Sequence, residues 1–170
     1  SGNWICVRIG SGGYGTVYSC CSQGRCVALK VPRGFESFVE APARCLTPHE
    51  LDVSKECIGV LLKEIEYVYV LDHPHLLKLI AYHMDRRSMF LVYEYATHGS
   101  LEYQIKKGAL RDAKDVVFLT IQLADALRYL HVHGIIHGDV KPSNVLFVNK
   151  IAKLGDYSTA DRALNIKRNV

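Results

Sequence analysis

No segment of this chain approaches the run of about 18 consecutive apolar residues that a membrane-crossing helix needs, so no membrane segment is expected in it. None of its six cysteines forms a C-x-x-C pair, which removes the common spacing of zinc and thiol-redox sites. A strong excess of one charge is also missing. Lysine and arginine number 21 against 17 acidic residues, and the basic residues are scattered, so no nucleic-acid partner is inferred. Internal repeats and low-complexity tracts are absent, which excludes repeat arrays. Proline is sparse, five in all, and none follows Pro142.

What is present describes a folded protein. Hydrophobic residues make up 49% and charged residues 22%, ordinary for a globular domain and unlike a disordered chain. At 170 residues the chain suffices for one compact domain, or for a small lobe with part of a larger one. Ser1 in place of Met leads us to expect a piece cut from something longer. Cys20 and Cys21 are adjacent in a strand-like run, so their side chains point to opposite faces and cannot share a metal. The sequence reads as cytoplasmic, or as the cytoplasmic portion of a larger protein, and reduced thiols are expected.

Strand-like alternation marks residues 3–9, 16–21 and 26–31, separated by Gly and Ser, which predicts an antiparallel meander. Residues 32–55 hold Pro32, Pro42 and Pro48 with little periodicity and read as a loop or insertion. A helix is expected over 54–71, strands over 76–83 and 88–95, and a short helix over 101–107. The longest helix should span 112–133, with Val116, Leu119, Leu123, Ala126, Leu127 and Leu130 as its apolar stripe. Short strands at 145–148 and 151–154 follow. Strands, one helix, strands, then helix and loop make an α+β arrangement, not the strict alternation of a doubly wound sheet.

Gly10-Ser11-Gly12-Gly13-Tyr14-Gly15-Thr16-Val17 fits G-x-G-x-x-G-x-V. Glycines let backbone N–H groups approach phosphate oxygens with no Cβ in the way. A dinucleotide site also uses such glycines, but it opens a helix directly after them. Here a β-branched and aromatic run follows, so an oxidoreductase reading loses. Fifteen residues after Gly15, Val27-Ala28-Leu29-Lys30 ends a strand in a lysine. Alone, Lys30 reads as a cation snorkelling from a strand end. The helical seam Cys57, Leu61, Glu64, Val68 and Leu71 supplies its partner, since Glu64 sits inside an apolar stripe and a buried carboxylate calls for a cation.

His137-Gly138-Asp139-Val140-Lys141-Pro142-Ser143-Asn144 follows the long helix, and Asp156-Tyr157-Ser158 stands just beyond a short apolar run. Asn144 and Asp156 are oxygen ligands suited to Mg²⁺. Asp139 is placed to accept a proton from an attacking hydroxyl. Lys141 is a cation for charge developing on a transferred phosphoryl group. His131, His133 and His137 lack cysteine or carboxylate companions at metal spacing and read as surface or capping residues.

With these motifs in this order, the chain resembles the eukaryotic-type protein kinase domain, of the Ser/Thr type by its Lys141-Pro142-Ser143-Asn144 loop. The resemblance implies a five-stranded antiparallel sheet with one helix in residues 1–97, including a hinge and the insertion at about 32–55. Residues 98–170 would be the first part of a helical lobe, with two helices, the catalytic loop and the start of the activation segment. ATP and Mg²⁺ are the implied cofactors, and a protein is the implied substrate. Gly10, Gly12, Gly15 and Lys30 would hold phosphates. Val17, Ala28 and Leu146 would sandwich the adenine, with Glu94 and Ala96 offering backbone groups to the base. Tyr93 would be the gatekeeper, and Val68, Leu79, His137 and Tyr157 a spine.

Four departures bear on activity. Gly138 replaces the arginine most members carry, so the usual pairing with a phosphorylated activation loop cannot form. Ser158 replaces the glycine after Asp156-Tyr157. The segment between Lys30 and Glu64 is longer than the resemblance requires, and no Ala-Pro-Glu-like element follows Asp156. The implied function is an ATP-dependent protein Ser/Thr kinase; the alternative is a non-catalytic, kinase-like scaffold that binds nucleotide or partners.

Overall fold

The computed structural model describes residues 4–36, 39, 48–85, 88–110 and 112–163. Part of the expected insertion, with Pro42 and Cys45, lies outside them. The chain divides into two compact units, one of residues 1–69 with 79–95 and one of 70–78 with 96–170.

The first unit is built on a five-stranded sheet whose neighbours all run antiparallel. Its strands are β1 (Ile5–Ser11), β2 (Gly15–Ser22), β3 (Arg25–Pro32), β4 (Leu79–Met84) and β5 (Met89–Glu94), in the order β1-β2-β3-β5-β4. The alternation of side chains along each strand sends Tyr18, Cys20, Leu29 and Val31 into one apolar cluster, joined by Cys6, Val27, Phe35, Phe90 and Val92. Helix α1 runs from Pro48 to Val68, six residues earlier at its start than the expected 54 and three short of 71. Proline misled the reading. In a first turn its fixed φ suits a helix and its missing N–H costs nothing, so Pro48 opens α1 instead of interrupting it. The seam Cys57, Leu61, Glu64 and Val68 is buried.

The expectation of reduced thiols is overturned in this sheet. Cys6 pairs with Cys20 and Cys21 with Cys26, while Cys57 stays a free, buried thiol. Both disulfides join residues directly opposite each other in the register. Their Cα atoms are 4.1 Å apart, the close spacing of pairs that exchange no backbone hydrogen bonds. Such pairs alternate along a strand, so the neighbours Cys20 and Cys21 reach opposite faces and different partner strands.

The second unit carries helices α2 (Leu101–Lys106) and α3 (Ala113–Val132), and strands β6 (Ile135–Ile136), β7 (Val145–Val148), β8 (Ile151–Leu154) and β9 (Asp161–Arg162). The Ser100 hydroxyl caps α2 by accepting from Tyr103 N, and the Asp112 carboxylate caps α3 by accepting from Lys114 N, each satisfying an orphan donor of the first turn. Strands β7 and β8 form a hairpin, and Leu76 bridges to Leu154 beside it. Of the expected α3 stripe only Ala126 and Leu130 are buried, and Val116 is half exposed, at 50%. Val117, Phe118 and Ile121 are exposed too.

Candidate active site

Three side chains of the first unit meet behind the sheet. Strand pairing sets Val17 opposite Lys30 and Ala28 opposite Tyr93, which puts Val17, Ala28, Lys30 and Tyr93 on one sheet face. From that face the Lys30 ammonium donates to Glu64 Oε2 at 2.6 Å, and the Tyr93 hydroxyl donates to Glu64 Oε1 at 2.5 Å. Glu64 is only 1% exposed, so both of its oxygens need these donors. Val68 and Leu79 are also buried in this unit, and Glu94, half-buried, ends β5 opposite Val27.

The glycine loop joins β1 to β2. A Cβ at Gly10 or Gly12 would meet no protein atom within 4 Å, so packing does not demand glycine there. At Gly15 packing does demand it, because a Cβ would lie 2.4 Å from the Val31 carbonyl oxygen. Sequence reading passed over Arg33, which ties this loop to α1. Its guanidinium donates to Gly12 O at 2.7 Å and its backbone N–H to Tyr14 O at 3.3 Å. Its own carbonyl accepts from the Ser54 hydroxyl at 3.0 Å. Glu36 adds a second tie, accepting from Thr16 Oγ1 and Gly34 N. Position three residues after the lysine was the available signal, but nothing in the sequence tells a bonded arginine from a solvated one.

In the second unit the loop after β6 collects Asp139, Lys141 and Asn144. Lys141 Nζ donates to Asp139 Oδ2 at 2.5 Å, and Asn144 Nδ2 donates to Asp139 O at 2.8 Å and to Oδ2 at 3.0 Å. The bond from Lys141 is the main reason that the Asp139 carboxyl titrates below its ordinary value and the Lys141 ammonium above its own. Asp156 stands close enough that its charge opposes the first shift and reinforces the second. Backbone joins the two segments, for Gly155 N donates to Asn144 O at 2.8 Å. His137 is buried, bonds Gly155 O through Nε2 and packs its ring 5.6 Å from Tyr157, whose hydroxyl donates to Leu77 O and Leu154 O. Leu146 lies on β7, and its bridge to Ser100 brings the start of α2 alongside. Ala96 opens this unit's second segment.

The oxygen donors fit a hard divalent cation. Asn144 uses its amide N–H groups on Asp139, which leaves the amide oxygen as its ligand atom. Asp156 holds a left-handed backbone at φ 58°, and its Oδ1 accepts from the Ser158 hydroxyl at 2.8 Å. Among the described residues no group of three or more His, Cys, Asp or Glu gathers to hold a metal alone. One carboxylate and one amide oxygen are hard donors of the kind a divalent cation takes.

Comparison with known proteins agrees with this arrangement. The family model described as "Protein kinase domain" matches residues 5–168. Cyclin-dependent kinase-like 4 of Mus musculus is 33% identical over 90% of this chain and 41% of its own length. Serine/threonine-protein kinase ULK3 of Xenopus laevis is 32% identical over 82% of the chain and 27% of its own length. An Aurora kinase of Dictyostelium discoideum is 37% identical over 64% of the chain and 28% of its own. The chain thus spans well under half of each of these relatives. With a five-stranded antiparallel sheet, its helix and the first part of a helical lobe, and with a family match over nearly its whole length, the chain belongs to the protein kinase domain family.

Proposed function

We propose that this chain carries the nucleotide-binding and catalytic-loop part of a kinase that transfers the γ-phosphoryl group of Mg-ATP to protein Ser/Thr hydroxyls. In the first unit, the loop carrying Gly10, Gly12 and Gly15 takes the phosphates, and the open space beside Gly10 and Gly12 suits their close approach. Lys30, oriented by Glu64, pairs with phosphate charge. Val17 and Ala28 offer an apolar face to the base, and Glu94 at the end of β5 supplies a backbone group. Asp139 accepts the proton of the attacking hydroxyl, and Lys141 meets charge on the transferred group. Asn144 and Asp156 hold Mg²⁺, which neutralises phosphate charge when bound.

The observation that carries this reading is the state of Asp139. Its carboxylate is gathered with a cation and an oxygen ligand in one loop, accepting from Lys141 Nζ at 2.5 Å and from Asn144 Nδ2 at 3.0 Å. A second reading, a non-catalytic scaffold, has one observation in its favour: the Ser158 hydroxyl occupies Asp156 Oδ1. An Mg-ATP phosphotransfer assay on the full-length protein separates the two. Lys30→Met and Asp139→Asn should each lower turnover by about 10²-fold or more, and Asp139→Asn should leave nucleotide binding intact. Wild-type protein that binds nucleotide without transferring phosphate would establish the scaffold. A cytoplasmic location, in the presence of ATP, belongs to the same proposal. The two disulfides weigh against it, since such bonds persist mainly in oxidising compartments.

A further inference from the structure

Tyr93 does more than fill space at the end of β5. Its hydroxyl holds Glu64 Oε1 while Lys30 holds Oε2, and all three groups are largely buried, with Lys30 at 12%, Glu64 at 1% and Tyr93 at 5% exposure. The two donors differ in stiffness. A lysine ammonium on a four-carbon stem follows its partner through a range of positions. A tyrosine hydroxyl on a planar ring with two side-chain torsions has one reach, and β5 is an interior strand, paired with β3 on one side and β4 on the other. The Lys30 bond therefore neutralises Glu64, whereas the Tyr93 bond decides where Glu64 stands. With its donor gone, Glu64 Oε1 would be a buried acceptor left unsatisfied, or the carboxylate would turn away and take Lys30 with it.

We propose that Tyr93 is a positioning residue: its hydroxyl anchors Glu64 to the sheet and, through Glu64, fixes the Lys30 ammonium where nucleotide phosphate is bound. The inference rests on the phosphate role of Lys30 given above.

Tyr93→Phe removes one oxygen and keeps the ring, so it separates anchoring from packing. In the full-length protein it should raise the KM for ATP about tenfold, the scale of one lost bond to a buried carboxylate. Amide hydrogen exchange along α1 near Glu64 should quicken by a similar factor. In a Glu64→Ala background the same substitution should change neither quantity, because the hydroxyl then has nothing to hold. Unchanged exchange and KM in Tyr93→Phe would overturn the proposal, as would equal losses with and without Glu64. If wild-type protein neither binds nor turns over nucleotide, the kinase reading fails. The exchange comparison, which needs no nucleotide, still decides the Tyr93 anchor.

Discussion

At the scale of single residues, Gly138 shows how a departure from a family pattern is written into local geometry. Its φ is +82°, and an added Cβ would stand 2.8 Å from the Thr159 carbonyl oxygen. Thr159 in turn donates its hydroxyl to His137 O at 3.0 Å, which fixes that carbonyl region against the loop. Restoring arginine would therefore not restore an arginine-dependent switch. Gly138→Arg, and Gly138→Ala equally, should cost about 2 kcal/mol from the left-handed backbone together with the close contact. A thermal melt checks it, with a drop of several degrees expected, and an unchanged midpoint would refute the contact. Glycine at 138 was plain in the sequence. Its conformation was not, because φ depends on which backbone comes to lie opposite, and Thr159 is 21 positions away. The hydroxyl of Tyr93 and the guanidinium of Arg33 were invisible for the same reason: side chains of ordinary type find their partners only when distant segments meet.

Among the elements, α3 is anchored at one point more firmly than its apolar pattern implies. Asp125, on α3, takes a bond from Arg128 at 2.9 Å and pairs with His73 Nε2 at 3.1 Å, while Tyr129 accepts from Asp72 N and packs its ring, tilted, 4.9 Å from that of His73. The Arg128 and His73 bonds hold the Asp125 carboxyl below its ordinary 3.8. A depressed carboxyl contributes stability above its unfolded value and loses it as pH falls through the folded one. Asp125→Asn should therefore lower the melting temperature near neutral pH, with the gap to wild type closing as pH drops below 3.8. A pH series of melts tests this, and a gap constant with pH would sink it. The existence and type of the long elements were readable because periods of 2 and 3.6 residues are local properties. The start of α1 was not, since one proline serves equally as a breaker and as a first-turn residue. Nor was the burial of α3, where Phe118 and Ile121 are exposed although apolar.

On the scale of the whole molecule, the first unit is covalently stapled and the described part of the second is not. Cross-links between β1 and β2 and between β2 and β3 restrict the unfolded chain across loops with separations of 14 and 5 residues. Each such loop is worth about 2–4 kcal/mol where the native geometry fits. Thiol alkylation of the unreduced protein should leave Cys6, Cys20, Cys21 and Cys26 protected. A dithiol reductant should then speed amide exchange in β1 to β3 while leaving α3 unchanged. Free thiols at all four positions would reject both disulfides. The motif order Gly10 to Gly15, Lys30, Glu64, Asp139, Asn144 and Asp156 was fixed by sequence alone, as was the α+β class, because spacing along a chain needs no fold to be read. Only tertiary structure decided that Glu64 has two donors, that Arg33 clasps the glycine loop, and that four cysteines are paired. Each of these depends on where strands and helices far apart in sequence come to rest, and burial then turns a common side chain into one that must find a partner.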